Sequence, residues 1–117
     1  MNNLQGNLGI GHVRYPTAGG IGKEFAQPMY VNTPYGISLA HNGNLTNSKK
    51  LAAELFHAER RHINTDSDSE VLLNIFALEL SKQEAVFPKP KDFFTAVEKT
   101  HLRINGAYAV VALITGY

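Results

Sequence analysis

The chain has 117 residues, 44% hydrophobic and 18% charged, with 11 Lys and Arg against 10 Asp and Glu. That is the size and balance of one small folded domain and excludes a disordered chain. A net charge of +1 offers no electrostatic attraction to a nucleic acid or a membrane surface, and the lack of cysteine removes disulfides, thiolate metal sites and a thiol nucleophile from these residues.

The start, "MNNLQGNLGIGH", has no cationic region followed by an apolar core, so it does not read as a signal peptide. Leu8 to Val13 reads as a strand holding two glycines. Residues 14–27, with Pro16 and glycines at 19, 20 and 22, read as an irregular loop. Met29 to Val31 and Ile37 to His41 read as two short strands, and "NTPYG" between them predicts a hairpin. Asn42, Gly43 and Asn44 then read as a turn into a helix. That helix is predicted over Ser48 to Glu59 from Leu51, Leu55 and Ala58, with Thr46 or Asn47 as its cap.

A second helix is predicted to start near "SDSE", where Ser67 and Glu70 have capping-box spacing. From Val71 to Leu80 it is apolar on nearly every side and should be buried on more than one. After the break at "FPKPK", a third helix is marked by Phe93, Val97 and Ile104, with Gly106 as its left-handed cap. The last segment, "AYAVVALIT", is a continuous apolar strand, which should be covered on both faces. It is far too short to span a bilayer. Core-like strands near both ends lead to the expectation that the sequence is part of something larger.

Three features carry possible chemistry. Asn42-Gly43 can supply a side-chain amide and a backbone N–H to a developing oxyanion. The same pair also reads as a tight turn needing positive φ, which is its commoner meaning. Arg14 can clamp a carboxylate through two parallel hydrogen bonds, with the Thr17 hydroxyl nearby in a loop stiffened by Pro16; the alternative is a plain surface arginine. Asp68, in "TDSDSE", suits a helix start through the helix dipole alone, but with Ser67 as the cap it is also available to an ammonium group. Metal ligation is poorly supported, because none of the five histidines has a ligand spacing such as HExxH. His12 and His41 end strands and read as hydrogen-bonded structural residues. "TAGGIGKE" lacks the leading Gly and the Ser or Thr of a phosphate loop.

Taken together, "IGHVRYPTAG", "AQPMYVNTPYGISLAHNGNLTN" and "INTDSDSEVLLNIF", running on to "GAYAVVALI", resemble the glutaminase domain of the amidophosphoribosyltransferase family. These are class II glutamine amidotransferases within the N-terminal-nucleophile hydrolases. The resemblance implies an α+β fold, part of a four-layer αββα sandwich with two stacked antiparallel sheets. It implies that Arg14 holds the α-carboxylate of glutamine with help from Thr17, and that Asp68 takes its α-ammonium. Asn42 and the Gly43 N–H would form the oxyanion hole. The family's nucleophile is an N-terminal cysteine, which these residues do not contain, so residues 1–117 are expected to be a partial glutaminase domain, inactive alone.

The resemblance also implies a cytoplasmic parent enzyme that passes ammonia to a phosphoribosyltransferase domain, with Mg2+ bound there and no cofactor in this part. Glutamine is the implied substrate, and no nucleic acid or membrane is implied as partner. The parent is expected to be a homo-oligomer, and this part by itself to self-associate. Two alternatives stay open: the glutaminase domain of another class II amidotransferase, and a non-catalytic module that retains the fold.

Overall fold

A computed structural model describes residues 6–14 and 22–117. Three strands and three helices follow one another: β1 (Met29–Val31), β2 (Ile37–Leu45), α1 (Ser48–His57), α2 (Asp68–Ser81), α3 (Pro90–Arg103) and β3 (Gly106–Ile114). The strands form one antiparallel sheet in the order β1-β2-β3. Val31 pairs with Ile37 across the predicted hairpin, where Tyr35 and Gly36 both take positive φ. β2 runs the whole length of β3, from Ile37 opposite Ile114 to Leu45 opposite Gly106.

Alternation along β2 divides its residues between two faces. Ile37, Leu39, His41 and Leu45 are buried on the inner face. Met29 and Val31 of β1 join them, and α2 packs on this side of both strands. α1 and α3 pack on α2 in turn. This leaves α2 surrounded, and every residue from Ser69 to Leu80 is buried. The expectation of a helix buried on more than one side therefore holds. Leu51 and Leu55 are the buried stripe of α1, as their spacing predicts, but the helix ends at His57 rather than Glu59.

Five local expectations are corrected. Leu8 to Val13 is not a strand: it has no regular secondary structure, Leu8 and Val13 are 74% and 89% exposed, and no described strand pairs with it. Asn42, Gly43 and Asn44 are not a turn; they continue β2, opposite Ala109, Tyr108 and Ala107. Asn47 stands at the start of α1 but does not cap it. Its side chain instead joins two distant segments, donating to the Arg103 carbonyl at 2.8 Å and accepting from the Asn105 N–H at 3.0 Å. Gly106 does not cap α3, which ends at an extended Ile104; Gly106 opens β3 at φ +140. β3 itself is exposed along most of its length, with Val110 41% and Val111 57% accessible, so it is not covered on both faces by the described residues. It is the outer strand of the sheet, and the helices pack mainly on β1 and β2.

A further correction concerns the predicted capping box of α2. Ser67 does cap the helix, its Oγ accepting from the Ser69 N–H at 3.2 Å. Glu70 does not reach back to the cap. Its Oε1 accepts from the N–H and side-chain amide of Asn64 at 2.8 and 2.9 Å. Its Oε2 accepts from the N–H and hydroxyl of Thr65, both at 2.7 Å. One buried carboxylate thus fastens the loop before α2. Burial alone would raise its pKa, but these four hydrogen bonds outweigh it and hold it below the usual 4.5.

A depressed pKa means stability that is complete above about pH 4.5 and lost as pH falls toward the lowered value. Glu70→Gln should therefore flatten the acid limb of the melting temperature. It should also cost of order 2–3 kcal/mol at neutral pH through weakened bonds to a buried group. Thermal melts from pH 3 to 7 test this, and an unchanged acid limb contradicts it.

A second buried carboxylate joins the helices. Glu79 of α2 accepts from Arg103 of α3 at 2.7 Å, and Arg103 also lies 3.5 Å from Glu54 of α1. No described helix is long and apolar enough to cross a membrane.

Candidate functional site

The C-terminal half of β2 and the start of α2 meet at one end of the sheet. Between them and residues 11–14 lies a cleft of about 750 Å³, lined by residues 11–14, Gln27, residues 41–44 and residues 67–69. Arg14, Asn42, Gly43 and Asp68 all line it. Four of the five residues nominated from the sequence are thus brought to one place from three separate segments. The fifth, Thr17, lies outside the described residues, as does Pro16.

Asn42 is exposed at the cleft on the sheet face away from α2. Gly43 follows with φ +145. A Cβ there would fall 2.2 Å from the Ala107 carbonyl oxygen and 2.7 Å from the Tyr108 Cα. The glycine is thus required by the close passage of β3, and a sharp reversal of the chain is not its reason. Asn42 and Gly43 are held in a long paired strand, which fixes their direction more firmly than a free turn would.

Asp68 is the first residue of α2, where the helix dipole favours its charge. Its Oδ2 accepts the Leu45 N–H at 2.9 Å, so it also ties the end of β2 to the start of α2. Asp68 is therefore partly committed to the fold, and less available than the reading of Ser67 as sole cap suggests. Its side chain is 23% accessible, and Oδ1 lies 3.8 Å from His41 Nδ1. Arg14 is exposed; its Nη1 lies 3.4 Å from the Phe25 carbonyl, and its guanidinium stands 5.5 Å over the Phe25 ring. The short 3₁₀ turn at Lys23–Phe25 thus supports the Arg14 side chain from below. Among the described residues no cluster of three or more His, Asp or Glu has the geometry of a metal site.

Among the cleft residues not nominated from the sequence, Gln27, His41 and Ser69 bond to one another. The His41 N–H donates to Gln27 Oε1 at 2.7 Å. Gln27 Nε2 donates to Ser69 Oγ at 3.2 Å, and Ser69 Oγ lies 2.9 Å from His41 Nδ1. The reading of His41 as a hydrogen-bonded residue is sound, but its side chain is buried on the inner face, 1% accessible, and Nε2 has no partner. Burial pushes its pKa below 6.5; Asp68 pulls it up and His12 pushes it further down. A visible signal was its place in the Ile37, Leu39, His41 alternation, which puts an imidazole among core positions.

A family model described as the glutamine amidotransferase domain matches residues 3–87, which include every cleft position. The chain belongs to this family. Over its whole length this glutamine amidotransferase domain chain is 58% identical to the amidophosphoribosyltransferases of Pseudomonas aeruginosa and Escherichia coli, and 50% identical to that of Saccharomyces cerevisiae. It spans 23% of the length of each. Among solved structures it is similar to the glutamine phosphoribosylpyrophosphate amidotransferase of B. subtilis complexed with ADP and GMP. That likeness has a TM-score of 0.64 and 27% identity, covering 88% of this chain and 20% of the other. The mixed helix and strand architecture of the amidotransferase domain described above agrees with it.

Proposed function

We propose that the chain forms the glutamine-binding and oxyanion-stabilising part of a glutaminase, within an amidophosphoribosyltransferase. The observation that supports this reading is the convergence of Arg14, Asn42, Gly43 and Asp68 on one cleft. A cation, an anion and neutral donors in one cleft match the three polar parts of glutamine: α-carboxylate, α-ammonium and side-chain carbonyl. Arg14, with Thr17, holds the carboxylate. Asp68 takes the ammonium. Asn42 Nδ2 and the Gly43 N–H face the carbonyl oxygen.

In this reading the nucleophile is an N-terminal cysteine outside these residues, with its own α-amino group as base. Its sulfur bonds to the carboxamide carbon and the carbonyl electrons move onto oxygen, where Asn42 and Gly43 meet the charge. Collapse breaks the C–N bond, the cysteine's own α-amino group hands the proton it took from the thiol to the departing nitrogen, and ammonia leaves. Water then cleaves the thioester to glutamate. The ammonia displaces pyrophosphate from phosphoribosyl pyrophosphate to give phosphoribosylamine, the first committed step of purine synthesis, in a transferase domain that would use Mg2+.

The same reading makes residues 1–117 part of a class II glutaminase domain in a homo-oligomeric parent. A second sheet would cover the outer face bearing Tyr30, Ala109 and Val111, all exposed here. Such stacking makes the four-layer αββα sandwich, and it accounts for an apolar β3 that the described residues leave uncovered.

Arg14→Ala in the intact enzyme tests the substrate assignment. Loss of a charge-assisted clamp should raise KM for glutamine about 10–100-fold. Synthesis from free ammonia should be unchanged. If the ammonia-dependent rate falls equally, Arg14 does not bind the carboxylate.

A further inference from the structure

His41 is the one buried side chain in the cleft with an unused polar atom among the described residues. Its neighbours determine where its proton sits. The His41 N–H occupies Gln27 Oε1, which fixes the orientation of the Gln27 amide and makes Nε2 the group that donates to Ser69 Oγ. Ser69 Oγ then has one proton of its own to give, and His41 Nδ1 is 2.9 Å away. Donation from Ser69 to Nδ1 closes a ring through Gln27, Ser69 and His41. It leaves the imidazole neutral with its proton on Nε2. The lowered pKa of the buried ring agrees with a neutral form.

We propose that His41 is a positioning residue for the oxyanion donors, acting as a neutral imidazole locked by Gln27 and Ser69; this rests on the glutaminase reading above. His41 immediately precedes Asn42 in β2, and Ser69 immediately follows Asp68 in α2. The ring therefore couples the residue before the oxyanion donors to the residue after the ammonium-binding carboxylate. Both groups are aimed from elements that the ring holds in register.

Acid undoes this arrangement. A second proton on Nδ1 removes the acceptor that Ser69 needs, so the ring opens. The resulting imidazolium, with Asp68 Oδ1 at 3.8 Å, competes with the substrate ammonium for that carboxylate. From residues 11–14, His12 opposes protonation of the ring, and the Arg14 side chain lines the same cleft. Opposite His41 in β3 stands Val110, which does not titrate.

The test compares His41→Leu, His41→Asn and Ser69→Ala in the intact amidotransferase, with glutamine and with ammonia as nitrogen donor. His41→Leu should lower the glutamine-dependent kcat about 10–100-fold, as expected for misaligned catalytic groups. Its ammonia-dependent rate should stay at the wild-type value, which also reports correct folding. Asn keeps an acceptor where Nδ1 stood and cannot be protonated. It should recover most of the loss and abolish the acid limb that His41 gives the glutamine reaction. Ser69→Ala should match His41→Leu, and the double variant should be no worse than either single one.

A His41→Leu enzyme with wild-type glutamine kcat overturns the proposal. So does a His41→Asn enzyme with the wild-type acid limb, or an additive double variant. If the wild type releases no ammonia from glutamine, the glutaminase reading fails and this proposal with it. If the wild type is active and the variants match it, only this proposal fails.

Discussion

Gly43→Ala should be among the most destabilising single changes in the chain. Its backbone lies at φ +145, a region that residues with a side chain rarely enter. Strain of this kind costs of order 1–3 kcal/mol. The new methyl would also stand 2.2 Å from the Ala107 oxygen and 2.7 Å from the Tyr108 Cα, both backbone atoms that cannot swing aside. Relief requires β2 and β3 to part where they pair, at the edge of the cleft.

A total near 3 kcal/mol corresponds to a drop in melting temperature of about 10–20 °C for a domain of this size. Gly9→Ala is the internal control, since nothing lies within 4 Å of a Cβ there. Thermal denaturation followed by circular dichroism separates the two. If Gly43→Ala melts with the wild type, β3 does not pass Gly43 as closely as described.

Asn42→Ala should show the opposite profile, with catalysis lost and stability kept. Asn42 is exposed, so truncating it should change stability by less than about 0.5 kcal/mol. Under the proposed function it removes one oxyanion donor, which costs ~10²–10³ in turnover. The loss belongs in kcat, because the interaction strengthens only as charge develops on the carbonyl oxygen. KM for glutamine and the ammonia-dependent rate should stay close to wild type. A glutamine kcat within a factor of three of wild type would remove Asn42 from the oxyanion hole. Read together, the two variants separate the close passage of β3 at Gly43 from the substrate contact that the proposed function gives Asn42.

The cleft was partly legible in the sequence. Arg14, Asn42, Gly43 and Asp68 each had an ordinary local reading as well, and it was the resemblance of the runs around them to a glutaminase family that singled them out. Gln27 and Ser69 did not stand out, since a lone amide before a proline and a serine inside a helix start have ordinary local meanings. Only their meeting with His41, across three segments, gives them a common role. Glu70 shows the same limit. Its spacing from Ser67 fits a capping box, yet Asn64 and Thr65 offer four donors that a single backbone N–H cannot outweigh.

The sequence by itself determined the elements whose causes are local. "NTPYG" between two apolar runs made the β1–β2 hairpin. The Leu51, Leu55 spacing made the buried stripe of α1, and the nearly unbroken apolar surface from Val71 to Leu80 made α2 the centre of the core. Tertiary structure decided every question that depended on a distant partner. Positive φ at a glycine is equally good for a tight turn and for a strand crossed closely by another. Which one applies at Gly43 was decided by Ala107 and Tyr108, far along the chain. Likewise an apolar strand carries no record of what covers it, because burial is a property of the neighbours. That is why β3 reads as core and stands exposed at the sheet edge, and why His41, on an inward strand position like any core residue, turns out to hold a buried imidazole among Gln27, Asp68 and Ser69.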